Sequence, residues 1–118
     1  MKNKFNARKS GKYDSKTEKD RAESLRLMES SGLISDLREQ VVFELIPAQY
    51  EIKEVQLKTK VKKVTRCVEL PCRYIADFVY WENGVQIVED SKGFKTPEYR
   101  IKKKLMLFIH NIKIRETR

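Results

Sequence analysis

The dipeptide Asn83-Gly84, set between the strand-like runs RYIADFVYW (73–81) and VQIVEDSK (85–92), constrains this chain more tightly than any other short segment. Asn-Gly between two such runs is the strongest local hairpin signal, because a two-residue turn that matches strand twist needs positive φ at both positions. With those two as the loop, Glu82 pairs with Val85, and counting outward sets Asp77 directly opposite Asp90. Side chains alternate faces along a strand. One face therefore carries Ile75, Asp77, Val79 and Trp81 against Lys92, Asp90, Val88 and Gln86, while Glu89 points the other way.

Opposed carboxylates on a ladder have β-carbons about 4.5–5.5 Å apart, and like charges so placed destabilise the pair unless something neutralises them. A cation is the natural remedy. Oxygen donors with no thiol or imidazole nearby select Mg2+ or Mn2+ over zinc or copper, and Lys92 brings a positive group to the same spot. Carboxylate-held metal beside a lysine suits phosphodiester hydrolysis: the ion acidifies a bound water and polarises phosphoryl oxygens, and the lysine steadies developing charge. The structural alternative is a pair of fraying strand ends with Lys92 as a surface ion-pair partner worth ~0–1 kcal/mol.

Upstream, DSKTEKDRAESLRLMESSG (14–32) reads as a helix capped by Asp14 or Ser15 and ended at Gly32. Glu18 shares a helical face with Ala22 and Leu25, whereas Glu23 lies well round the cylinder. Ser15-Lys16-Thr17-Glu18 also matches a capping box, so Glu18 has a structural role available as well as a chemical one. QVVFELI (40–46) predicts a strand stopped by Pro47, and residues 51–66 predict a second, exposed strand with a basic polar face. Thr96 and Pro97 predict the start of a second helix, with Ile101, Leu105, Phe108 and Ile109 as its buried stripe and Lys102, Lys103 and Lys104 facing mostly away. IKIRE (112–116) alternates as a short last strand, which gives the order helix, three or four strands, helix, strand.

The chain's 118 residues suit one domain, 13–118, preceded by a basic arm over 1–12. Lys and Arg number 26 against 17 Asp and Glu, a net charge of +9 that makes a polyanion, nucleic acid above all, the expected partner. The excess lies at both ends: 1–12 hold five basic and no acidic residues, and 92–118 hold nine basic against two acidic. No segment approaches the roughly 20 apolar residues of a membrane span, and residues 1–12 lack the apolar core of a secretory signal. A cytoplasmic protein without a membrane partner is expected. Cys67 and Cys72 are the only cysteines and His110 the only histidine, too few for a four-ligand zinc site of Cys and His.

Asp77 followed by Asp90-Ser91-Lys92, with an acid on a preceding helix, resembles the PD-(D/E)xK nuclease superfamily, which includes restriction endonucleases and Holliday-junction resolvases. Over a longer span, FNARK, YDSKTEKDRAESLRLMESSGLISDLREQVVFELIP, YIADFVY, VEDSKGFKT and YRIKKKLMLF resemble small phage and prophage proteins with that nuclease-like core; residues 51–70 match least. The resemblance implies an α/β fold, a restriction-endonuclease-like mixed central sheet flanked by helices with an α-β-β-β-α-β core. It makes Glu18, Asp77 and Asp90 the metal-binding acids and Lys92 the lysine of the motif. Glu23 remains a rival to Glu18, Glu89 ranks second to Asp90, and Gln40 matches a glutamine often seen before the first strand of related nucleases. Ala76 stands where a proline often precedes the first strand acid.

The function so implied is Mg2+- or Mn2+-dependent endonucleolytic cleavage of DNA, structure-selective for branched substrates such as Holliday junctions, in phage recombination or DNA processing. The setting is the host cytoplasm if the chain is phage-encoded. Lys95, Lys102, Lys103 and Lys104, with Arg8 and Lys9 of the arm, are the expected phosphate contacts, and a homodimer suits symmetric cutting. The alternative is a noncatalytic nucleic-acid-binding module that keeps the nuclease-like fold.

Overall fold

The computed structural model describes residues 15–91 and 95–117. Helix α1 (Lys16–Ser30) is followed by strands β1 (Ser35–Ile46), β2 (Gln49–Gln56), β3 (Val61–Glu69), β4 (Cys72–Glu82) and β5 (Val85–Ser91). Helix α2 (Pro97–His110) and a short strand β6 (Arg115–Thr117) complete the order. A four-stranded mixed sheet runs β1-β4-β5-β6, antiparallel except for the parallel β5–β6 pair, and β2–β3 form a two-stranded sheet of their own.

The hairpin register is the one Asn83-Gly84 specifies. Glu82 pairs with Val85 and the ladder continues without a slip to Phe78 opposite Glu89. Asn83 at φ 51 and Gly84 at φ 76 supply the two left-handed residues such a turn needs.

β4 is central, and adjacent residues on it bury opposite ways. Phe78 and Tyr80 join Ala22 and Leu25 of α1 together with Ile34. Val79 joins Tyr99 and Met106 of α2, Val88 of β5 and Ile114. The two helices thus cover opposite faces of the sheet, which is why β4 reads as a nearly unbroken apolar run rather than an alternation. Leu25 and Met106 are fully buried, and truncating either to Ala would cost about 2–5 kcal/mol.

The helix ends follow from local chemistry. Ser15 caps α1, its Oγ accepting the Glu18 N–H at 3.1 Å, and Gly32 at φ 82 turns the chain out. Thr96 caps α2 by accepting the Tyr99 N–H, Pro97 opens it, and Asn111 closes it in the left-handed region. Asp14, the other expected cap for α1, lies outside the described residues, as do the basic arm with Arg8 and Lys9, and Lys92.

Four expectations need correction. β1 begins at Ser35 rather than Gln40, since Arg38 and Glu39 already pair with Val79 and Phe78. The single exposed strand expected over 51–66 is two strands and a turn. The stripe expected on α2 is not its buried face: Ile101 and Phe108 are 60% and 88% exposed, and Ile109 is exposed too, while Tyr99 and Met106 pack inward with Leu105 at the edge. The last strand is shifted to 115–117, and Ile112 and Ile114 serve as core residues of the connection before it.

Candidate functional site

Inward and outward positions on β4 exchange at Asp77. Above it Val79 faces α2; below it Tyr74 and Ala76 do, and Ile75, expected on the face of Asp77 and Val79, is 52% exposed. The neighbouring strand bends at the same level. Pairing with β1 skips from Glu39–Phe78 to Val41–Ala76, and Gln40 between them sits at φ 54, a conformation that costs a non-glycine residue energy. The bend aims Tyr74 at the end of β5.

Asp90 is fully buried there, and the Tyr74 hydroxyl donates to its Oδ2 at 2.5 Å. Asp77 accepts the Ser91 N–H on Oδ2 at 2.9 Å. Glu18, buried at the start of α1, accepts from the Gln40 side-chain amide at 3.0 Å. The capping box is thus present in its Ser15 half, while the Glu18 carboxylate reaches across to β1.

These acids act on one another. Burial, first, and the Asp90 charge, next, push the Asp77 carboxyl up to about 7; the Ser91 N–H opposes the rise and Glu18 adds to it. Tyr74 is driven well above the ordinary phenol value by burial and by its bond to Asp90, so it remains a donor. Tyr99, with its ring against Tyr74, moves the same way through burial, its bond to Glu116 and the charges of Asp90 and Asp77.

The donor set is all hard oxygen, and beside it the buried Ser91 hydroxyl has no hydrogen-bond partner among the described residues. That chemistry fits Mg2+ or Mn2+ better than a softer ion. Among the described residues, no three carboxylate, imidazole or thiol groups close on a common point tightly enough to hold an ion. Asp77 and Asp90 are the pair on which one would sit, with Glu18 alongside.

Of the other candidates, Glu23 is exposed and takes no part, because α1 turns Glu18, Ala22 and Leu25 inward and Glu23 out. Glu89 is fully buried on the opposite face, as the register required. Arg21 grips it through Nε at 2.7 Å and Nη2 at 3.0 Å, and the hydroxyls of Tyr80 and Thr117 donate at 2.6 and 2.9 Å. Burial raises the Glu89 carboxyl, but the bonds from Arg21, Tyr80 and Thr117 outweigh it and hold the group below its usual value. Glu89 is a structural anchor for α1. Sequence reasoning missed Arg21, Tyr80 and Tyr74; the available signal was that buried acids in an apolar strand demand donors from whatever packs over them.

The expected phosphate-binding lysines are only partly available. Lys95 and Lys103 both bridge Glu116, at 3.2 and 2.8 Å, and Lys102 bridges Glu98 at 2.9 Å, while Lys104 is exposed. With Arg100 and Tyr99, Lys95, Lys103 and Lys104 rim a cleft of about 470 Å³ beside β6.

Fold and site together define a mixed α/β protein in which a half-buried Asp77 meets a fully buried Asp90 at the end of the central hairpin. The chain belongs to the DUF1064 family, described as a protein of unknown function, whose model matches residues 2–117. No curated protein and no solved structure matches it. No helix among the described residues is long and apolar enough to cross a membrane.

Proposed function

We propose that this chain is a metal-dependent DNA endonuclease of the PD-(D/E)xK type, with a restriction-endonuclease-like core and selectivity for branched DNA. The observation that carries this reading is the gathering of Asp77, Asp90 and Glu18, each held by a donor, at the end of the hairpin; burial, and next the Asp90 charge, lift Asp77 to about 7. A fold gains nothing from two acids forced together, and perturbed carboxyls of this kind concentrate at functional sites.

Asp77, Asp90 and Glu18 would hold Mg2+ or Mn2+, which when bound acidifies a water and polarises a phosphoryl oxygen. The chain's own residues supply the rigidity. Tyr74 fixes the Asp90 carboxylate, the Ser91 N–H fixes Asp77, and Gln40 fixes Glu18, so each acid has one oxygen held by a donor. Lys92, adjoining Ser91 in sequence, would steady charge on the phosphate. The net charge of +9 draws the polyanion in.

The test is cleavage of four-way junction, flap and linear duplex DNA, and of RNA, with Mg2+ or Mn2+. Wild type is compared with Asp90→Ala and the milder Asp90→Asn. Cleavage by wild type that both variants lose is the expected result; cleavage retained in either folded variant overturns the assignment.

A further inference from the structure

The β2–β3 hairpin has no role in the acidic site, and its construction is unusual. Ile46 pairs with Cys72 at the end of the main sheet, and Gln49 pairs with Glu69 at the start of the hairpin. The register between them sets Pro47 opposite Pro71. Neither proline has an N–H to give to a ladder, so two facing prolines divide one long ribbon into a sheet strand pair and a projecting arm.

Every residue of β2 and β3 is exposed. A two-stranded hairpin without a packed face is marginal on its own, and its strands of 8 and 9 residues run about 26–30 Å at ~3.3 Å per residue. The chain's longest dimension is 69 Å.

Charge is distributed along this arm in a definite order. Two of the arm's three acids are matched across the strands, Glu51 against Arg66 and Glu54 against Lys63, while Glu69 at the base faces Gln49. From 55 to 68 there are five basic residues, Lys58, Lys60, Lys62, Lys63 and Arg66, and no acid. The tip is closed by the Leu57 N–H donating to the Lys60 carbonyl at 2.8 Å, which presents Lys58 at the far end. Alternation puts Lys53, Lys62 and Arg66 on one face.

We propose that the β2–β3 arm is a second nucleic-acid contact, a basic ribbon that lies in a groove of double-helical DNA and grips phosphates away from the acidic site. A two-stranded ribbon matches the width of the major groove, and the distal cations match its phosphate walls. A second copy of the arm is a poorer occupant, because the cations at one tip would face the same cations on the other. The inference rests on the nucleic-acid part of the proposed function and is independent of hydrolysis.

The experiment uses the full chain carrying Asp77→Asn, in chelator, so that binding is read without cleavage. Affinity for a labelled linear duplex is measured over a range of salt, with and without Lys58→Ala, Lys60→Ala, Lys62→Ala and Arg66→Ala together. The arm variant is expected to bind at least about tenfold more weakly, with a log–log salt slope shallower by about 0.9 for each phosphate that the arm no longer neutralises. Replacing the three lysines by arginine instead of alanine, with Arg66 kept, should preserve both. Unchanged affinity and slope would overturn the proposal, as would a loss of self-association in place of DNA affinity. If the parent binds duplex through the arm but wild type cleaves nothing, the arm stands and the nuclease assignment falls; if the parent does not bind duplex, the arm falls with it.

Discussion

The Asp77 carboxylate accepts the backbone N–H of Ser91 at 2.9 Å, which ties the acid of β4 to the residue immediately after the acid of β5. The tie holds the half-buried Asp77 beside the fully buried Asp90. Asp77 is raised to about 7 by burial and by Asp90, so between the ordinary carboxylate value and about 7 the folded state binds a proton that the unfolded state does not. Stability therefore falls as pH rises through that window. Without metal, Asp77→Asn should stabilise the fold above pH ~7 by about 1–2 kcal/mol, several degrees in melting temperature, and have little effect near pH 4. Melting curves across that range, with and without Mg2+, check this; a site for the ion also requires Mg2+ to raise the midpoint of wild type more than that of the variant.

Across the sheet, Arg21 and Glu89 form the opposite kind of pair, a bidentate ion pair that two hydroxyls complete. Removing one partner leaves a buried charge uncompensated, so Arg21→Ala should cost about 3–5 kcal/mol. Adding Glu89→Gln should recover part of that loss, since the remaining amide still accepts from Tyr80 and Thr117. Urea denaturation of the two variants measures both effects. A single variant as stable as wild type would show that the packing of Ala22 and Leu25 and the Glu18–Gln40 bond hold α1 without it.

How far these two acids were legible in the sequence differs instructively. Asn83-Gly84 fixes the register, and the register alone separates Asp90 from Glu89 onto opposite faces. It could not show the bend at Gln40, because a left-handed glutamine leaves no compositional trace. That bend exchanges Ile75 for Tyr74 on the inner face and supplies Asp90 with its donor. On α2, two apolar stripes compete at helical spacing. The sheet selects Tyr99 and Met106 because the Tyr99 hydroxyl meets Glu116 at 2.8 Å, a preference no count of apolar residues contains. The β2–β3 arm was hard to resolve for a related reason: with neither face buried, its two strands lack the alternation by which strands are recognised.

Tyr74 gives the most direct test of positioning at the acidic pair. Its hydroxyl donates to a buried carboxylate, and Tyr74→Phe removes that bond while keeping the ring packed on Tyr99. Donors that orient metal-binding carboxylates typically account for 10–100-fold in metal affinity. The variant should therefore bind Mn2+ about 10–100-fold more weakly, at a cost in stability of only about 1–3 kcal/mol. Calorimetric titration alongside thermal melting separates the two; equal Mn2+ affinity would leave Tyr74 a core residue only.

Glu116 governs the acid limb of the stability profile. It pairs with Asp90 in the β5–β6 register and gathers Lys103, Tyr99 and Lys95 around its carboxylate. The Lys103 bond, against burial and helped by Tyr99 and Lys95, lowers it to about 2. A depressed carboxyl stabilises the fold fully above its unfolded value, and that stability is lost as pH falls from about 4.5 through about 2. Glu116→Gln forfeits the contribution at neutral pH and has less to lose in acid. Its urea midpoint should start below that of wild type near pH 7 and converge with it near pH 2. Parallel profiles over that range would mean that Lys95 and Lys103 are too well solvated to bind Glu116 in solution. The β6 strand would then be anchored by Ile114 and by the bond from Thr117 to Glu89.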